Sequence, residues 1–359
     1  MSFMSDESST APAGAGTYPL NPASAPGDGQ PLQSILVDPG FEGDSGNDES
    51  AGGKNRLLPA SMSISSTILE YRKLHGRTYQ NFEGAEYWGP NDDKQNEGLD
   101  MNHHMMYLAF DNRLFLSPLK NPQKVLDVGT GTGIWAIDFA DEFPSAEVTG
   151  TDLSPIQPAW VPPNCRFELD NCELDWTYPD ETFDFIHIRG LVGSVKDWPR
   201  LYAEALRCLK PGGWFEQHEF ALPIAGNDGP LPEDCIWHDW GRIFRDAGYR
   251  MGRSFEVSDY WEEWLRAAGF EGEIHRSEVP LPIGGWALET KWKQIGLFNR
   301  MGLEQGLEGF ATYICTQVLG WEHEQVELML VRVRQAIKNK TYHAYFPMKS
   351  IYIQKPLRS

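Results

Sequence analysis

The stretch Lys124 to Gly133, K-V-L-D-V-G-T-G-T-G, constrains this chain more than any other. Val125 to Val128 is a short apolar run that carries one acid and leads into glycine, the pattern of a buried parallel strand. A glycine-rich turn after such a strand lets the backbone approach a ligand closely. Two ligand classes use that turn. Dinucleotides use G-x-G-x-x-G/A, which Gly131, Gly133 and Ala136 satisfy. S-adenosylmethionine uses an acid followed by G-x-G-x-G, which Asp127, Gly129, Gly131 and Gly133 satisfy.

Three features favour the second ligand. Asp127 ends the strand, where a carboxylate can meet the ligand's ammonium directly or through water. A glycine at every other position bares a long backbone surface for the amino-acid end of the ligand. Lys210-Pro211-Gly212-Gly213 follows a helix after the fourth strand, and the chain closes with a late strand. Asp152 ends the second strand, where a carboxylate accepts both ribose hydroxyls of either ligand. Thr130 and Leu153, their neighbours in these turns, complete the contacts expected here.

Alternating units surround the motif. Strands are expected at Val125–Val128, Glu147–Asp152, Arg166–Leu169, Phe183–Ile188 and Trp214–Phe220. Helices are expected at Ile134–Phe143 and Trp198–Leu209. That alternation predicts an α/β fold with a doubly wound, Rossmann-like sheet and helices on both faces. Later text predicts an amphipathic helix at Tyr260–Ala268 and a sixth strand at Gly272–Pro282. Three helices follow at Trp286–Gly302, Leu307–Leu319 and Glu322–Lys338, and a last strand at Ser350–Gln354. Before the sheet, Ile64, Ile68, Tyr71 and Leu74 have helical spacing, and a His-containing helix is expected at about Asp100 to Leu116.

Three regions result. Residues 1–60 read as a disordered acidic tail, because Ala, Pro, Gly, Ser and acid cannot bury enough apolar area to offset chain entropy. Residues 61–122 form an N-terminal helical cap. Residues 123–359 form the main domain, with a helical insertion at about 286–340.

Composition narrows the function. The net charge of -20 opposes a phosphate-tracking surface, so no direct nucleic-acid partner is expected. No apolar run reaches the roughly 18 to 20 residues of a spanning helix, so no membrane role is expected. The five cysteines are an odd number with no C-x-x-C pair, which fits reduced thiols of the cytoplasm or nucleus and argues against zinc. No secretory leader is expected.

Four blocks resemble the LaeA-like fungal methyltransferases. They are Tyr71 to Tyr79, Leu99 to His104, Val125 to Gly133 with Trp135-Ala136, and Phe183-Asp184 through Arg189 to Trp214. The first two are the more specific. The resemblance spans roughly residues 64 to 355. It implies a seven-stranded class I methyltransferase sheet of order 3-2-1-4-5-7-6. It also implies adenine recognition after strand three, at Asp170-Asn171-Cys172-Glu173. Asn171 stands where relatives more often carry an acid. A velvet-domain partner is implied by resemblance alone.

Methyl transfer demands alignment, and a hydroxyl or amine acceptor also demands a base. His187 and Arg189 end strand four, at the edge where doubly wound sheets place ligands. Arg189 is expected to bind the ligand's carboxylate or an acidic acceptor, with pairing to a structural acid as the alternative. His218 and Glu219, after strand five, join His187 as candidate bases. A core role for His187 stands beside a site role. His103 and His104 can close over the site, but adjacent helical positions allow one of them at most. Their spacing is not the i, i+4 of a metal pair, and no metal site is expected. Trp286, Trp292, Phe298, Phe310, Tyr313 and Trp321 fit core better than an acceptor pocket. The expected activity is S-adenosylmethionine-dependent methyl transfer to a small molecule or in the regulation of secondary metabolism. The alternative is a regulatory subunit that keeps the cofactor and docks a velvet protein. A nicotinamide-dependent reductase is a third reading.

Overall fold

A computed structural model describes residues 34–40, 70–82 and 85–358, all within one compact unit spanning Leu32–Ser359. The remaining expected tail, and the helical spacing at Ile64 and Ile68, lie outside the described residues.

Strands β1 (Arg72–Leu74) and β2 (Arg77–Tyr79) pair antiparallel as a hairpin. Tyr71 and Leu74 therefore do not continue a helix. His75 and Gly76 both take positive φ, the two-residue turn whose twist suits a hairpin. Helix α1 (Asp93–Ala109) starts about two turns earlier than expected, because Asp92 caps it by accepting from the Gln95 amide. It stops short of Leu116, where Asp111 and Asn112 turn left-handed.

The alternating units form as expected. They are β3 (Lys124–Val128), α2 (Ile134–Glu142), β4 (Glu147–Asp152), β5 (Cys165–Leu169), β6 (Phe183–Arg189), α3 (Trp198–Cys208) and β7 (Leu209–Phe220). Lys210 to Gly213 is an irregular start of β7, where the pairing with β6 shifts register. Next come β8 (Ala225–Gly226), α4 (Ile236–Met251), α5 (Val257–Ala267), β9 (Ile274–Pro282), α6 (Thr290–Tyr313), α7 (His323–Ile337) and β10 (Ala344–Gln354).

The sheet runs β5-β4-β3-β6-β7-β10, with β9 paired to the far side of β10. The first five strands are parallel, and β10 is antiparallel to both neighbours. Apart from the short β8, this is the order 3-2-1-4-5-7-6 of the class I methyltransferase sheet.

Two expectations about the helices and the tail differ from the structure. The first two late helices are one, since α6 runs unbroken to Tyr313 and continues through a π-helical turn, Ile314–Val318. Gly302, Gly306 and Gly309 look like breakers, but their lack of a side chain admits a neighbour. A Cβ at Gly302 would stand 2.7 Å from Asn102 Oδ1, and one at Gly309 would stand 2.5 Å from Gln95 Oε1. Asn102 and Gln95 of α1 thus occupy the space that side chains at Gly302 and Gly309 would take. Within the expected tail, residues 34–40 pack onto the domain. Asn227 clamps Ile35, its Oδ1 accepting from the backbone amide at 2.9 Å and its Nδ2 donating to the carbonyl at 3.0 Å. Asp38 pairs with Lys293, and Ile35 is buried beside Trp286, which sits before the helix rather than in it.

Candidate cofactor site

The site begins where β3 and β4 end. Gly129, Gly131 and Gly133 have φ of 71°, 59° and 80°. A Cβ at Gly129 would lie 2.5 Å from Leu191, and one at Gly133 would lie 2.3 Å from Phe167. At Gly131 the nearest atom would be Leu99 at 3.6 Å, so this residue bares its backbone to the cavity. The turn thus needs glycine at all three positions and leaves space at the middle one.

Asp127 is held from two sides. Its Oδ2 accepts from Thr130 Oγ1 at 2.6 Å, and its Oδ1 accepts from His187 Nδ1 at 2.7 Å. Asp152, partly open to the cavity, accepts from the Gly131 and Ser154 amides, each at 2.9 Å. The surrounding wall withholds water from its carboxyl, which is pushed up to about 6, with the charge of Asp127 adding to the shift. Asn171 is buried and accepts from the Glu173 amide through Oδ1. Its Nδ2 makes no hydrogen bond among the described residues. Burial holds the thiol of the adjacent Cys172 up at about 12, so it faces the site as a neutral group.

Arg189 is oriented by an arrangement that α1 supplies. Its Nη2 donates to His103 Nδ1 at 3.1 Å, and His103 Nε2 meets Asp138 Oδ2 at 2.9 Å. Arginine only donates, so Nδ1 is the acceptor and the ring proton sits on Nε2. Burial lowers the pKa of His103, and Asp138 opposes that shift only in part. The neighbouring His104 packs edge-on against Phe298. Of the two adjacent histidines, one faces the site.

These groups converge on a single cavity of about 220 Å³. Asp127, Gly129, Thr130, Gly131, Asp152, Leu153, Asn171, Cys172 and Arg189 all line it. Gly133 does not line it, and instead starts α2 against Phe167. The donors and acceptors suit S-adenosylmethionine: carboxylates for an ammonium and for ribose hydroxyls, a guanidinium for a carboxylate, and a bare backbone between them. Tyr87, Trp88, Leu99 and Asn102 also line the cavity and went unnoticed as site residues in the sequence. The L-D-M-N-H-H block was the available signal for Leu99 and Asn102.

The three expected bases lie elsewhere. His187, His218 and Glu219 are at most 1% exposed, and none lines the cavity. Register explains the first, because Asp127 and His187 are partners across β3 and β6. The His187 ring also stacks on Trp135 at 3.8 Å, and burial pushes it down to about 4, so it is neutral and donates to Asp127. His218 bonds Ser350 Oγ at 2.7 Å and Glu216 Oε1 at 2.8 Å. Glu219 accepts from the Leu191 and Val192 amides, and burial pushes it up to about 7. All three hold up the wall of the cavity. No cluster of metal-ligating side chains occurs among the described residues, and no helix there is long and apolar enough to cross a membrane.

A second chamber of about 120 Å³ adjoins the first and shares Trp88, Asn102, Val192, Phe220 and Phe310 with it. Its remaining wall includes Trp240, Phe244 and Phe255. Of the late aromatics singled out in the sequence, Phe310 alone lines it.

The model of a methyltransferase domain matches residues 101–273. The chain is 38% identical to methyltransferase pytC of Aspergillus terreus over 82% of its own length and 91% of the relative's. The chain belongs to the LaeA-like fungal methyltransferases. It is 35% identical to the secondary metabolism regulator LAE1 of Cochliobolus heterostrophus, covering 76% of this chain and 90% of that one. It is 30% identical to protein-methionine methyltransferase laeA of Emericella nidulans, covering 80% and 78%. This LaeA-like protein is therefore an S-adenosylmethionine-dependent methyltransferase.

Proposed function

We propose that this methyltransferase modifies a small molecule of fungal secondary metabolism. The observation that carries the reading is the joining of two unlike chambers: one polar and glycine-floored, one apolar and ring-sized.

In this reading Asp127, Gly129, Thr130, Gly131 and Arg189 bind the amino-acid end of the cofactor. Asp152 and Leu153 take the ribose, and Asn171 and Cys172 take the adenine. Bound S-adenosylmethionine supplies a methyl group on a positively charged sulfur. The protein's part is orientation, which can contribute on the order of 7 to 11 kcal/mol. Thr130 and His187 fix the Asp127 carboxylate. Asp138 and His103 fix the Arg189 guanidinium. His187, His218 and Glu219 are positioning residues in this assignment, not bases. The reduced cysteines support a cytoplasmic or nuclear location.

A second reading is regulatory docking to a velvet-domain partner, supported by relatives named as regulators. Incubation of the full chain with isotopically methyl-labelled S-adenosylmethionine and a fungal extract separates the two. Label accumulating over many turnovers in the small-molecule fraction supports the first. Label absent from that fraction, with a velvet protein co-purifying in stoichiometric amount, supports the second.

A further inference from the structure

Two glycine notches in α6 house two side chains of α1, and both are carboxamides. Asn102 faces Gly302 and Gln95 faces Gly309, so residues seven apart on one helix meet residues seven apart on the other. Neither carboxamide makes a hydrogen bond among the described residues. Gln95 is 5% exposed and lines the first chamber, while Asn102 stands where the two chambers meet. A buried polar group without a partner destabilises a fold, so such groups are normally paired. Asn299 of α6 shows the contrast, since it donates to the Leu281 and Pro282 carbonyls.

The pair also sits beside the chemistry. Gln95 and Asn102 share one face of α1, about 10.5 Å apart along its axis, with Leu99 between them. A Cβ at Gly131 would lie 3.6 Å from Leu99, so this face overlies the bare backbone of the cofactor turn.

Charge indicates what kind of group the pair meets. Arg189 is the arginine or lysine lining the first chamber, and it is held by His103 and assigned to the cofactor's carboxylate. Five acids line the same chamber: Glu86, Asp127, Asp152, Asp170 and Glu173. An anionic acceptor would meet repulsion there with no spare cation to offset it. Glu86 and Asp170 keep carboxylate oxygens that no hydrogen bond engages, but they belong to the β5 side. Asp170 follows β5 and Phe220 ends β7, four strand spacings or about 19 Å away. Glu86 stands 3.8 Å from Lys196, whose amide donates to Glu173. A carboxamide is uncharged and offers a donor and an acceptor side by side. Its best complement carries the same two groups, as an amide or lactam does.

We infer that Gln95 and Asn102 recognise neutral amide or lactam groups of the acceptor, with an adjoining apolar ring in the second chamber. Asn102 holds the polar group next to the ring, and Gln95 holds one farther along α1. The inference rests on the methyltransferase reading of the site and concerns recognition, not the atom methylated.

The test uses the full chain saturated with S-adenosylhomocysteine. Calorimetry establishes that complex first, and its failure would sink the cofactor assignment rather than this one. Four phenyl probes then differ in their polar part: cyclo(glycyl-phenylalanine) carries two lactam groups, ethylbenzene none, hydrocinnamate an anion and phenethylamine a cation. Binding is read by tryptophan fluorescence, since Trp88 and Trp240 line the second chamber.

The lactam probe should bind at least tenfold tighter than each of the others. Asn102→Leu and Gln95→Leu should each weaken it by roughly two- to tenfold, the worth of a neutral hydrogen bond, and leave ethylbenzene as tight or tighter. Ala221→Phe, which fills the second chamber, should weaken all four while S-adenosylhomocysteine still binds. Tighter binding of hydrocinnamate or phenethylamine would overturn the neutral class. No binding of the lactam probe, or binding unchanged in both leucine variants, would overturn the recognition role. Loss of S-adenosylhomocysteine affinity in those variants at unchanged Tm would give the pair to the cofactor and overturn it as well. Where Tm falls too, the ranking of the four probes on the unaltered chain decides.

Discussion

The two chambers share a wall and differ in nearly everything else. The first is built from strand ends and turns, and it engages its polar groups one by one: Asp127 by Thr130 and His187, Asp152 by two amides, Arg189 by His103. The second is built mainly from aromatic side chains on helices and loops and has no titratable group. The lesson is a division of labour. A fixed ligand is met by preorganised polar groups on a sheet edge, while a variable one is met by shape.

Loss of a carboxylate separates the chambers most sharply. Asp127→Ala and Asp152→Ala should each weaken S-adenosylhomocysteine binding at least tenfold by calorimetry. A charge-assisted hydrogen bond contributes about 1.5–3 kcal/mol. Comparable weakening by Ala221→Phe would break the division.

A pH titration sharpens it. The Asp152 carboxyl, raised to about 6 by its desolvating wall, holds its proton in slightly acid solution. Its contribution to the stability of the unliganded fold is therefore complete below about 3.8 and is lost as pH rises through 6. Ribose hydroxyls favour the ionised form. Affinity for S-adenosylhomocysteine should thus fall as pH drops from 7 to 5, by no more than about tenfold per pH unit. Asp152→Asn should bind weakly and lack that dependence.

The buried histidines give a smaller effect. A true general base contributes about 10²- to 10⁴-fold. His187→Asn and His218→Asn should lower kcat less than that range, and for His187 the loss should appear mainly in cofactor affinity. A fall of kcat within that range at unchanged affinity would restore His187 as a base.

The tail gives the smallest effect on the site. Ile35→Asp should lower stability by about 1.5–3 kcal/mol, the value of burying an isoleucine, read as a drop in Tm. Cofactor affinity should stay unchanged.

The first chamber was largely legible in the sequence because its residues lie at strand ends, which hydrophobic runs locate. Asp152 and Arg189 each close such a run, and Asp127 stands one residue before the end of its own. The facing of a side chain was not legible in strands buried on both sides. Phe185 to Ile188 are all buried, so no alternation marks which way His187 points. Glu216 to Glu219 misled for the same reason, as four consecutive polar residues that satisfy one another and their neighbours inside the core. The second chamber was illegible. It gathers Trp88, Asn102, Val192, Phe220, Trp240 and Phe310 from separate segments with no shared spacing. Glycines hid the length of α6, because helix-breaking composition and close helix contact look alike in one dimension.

The structure of the full chain bound to S-adenosylhomocysteine tests the division most directly. The account predicts both ribose hydroxyls within hydrogen-bond reach of the Asp152 carboxylate, the ligand's carboxylate on Arg189, and the second chamber left free for the acceptor. A ligand lying in the aromatic chamber, or a ribose turned away from Asp152, would contradict it.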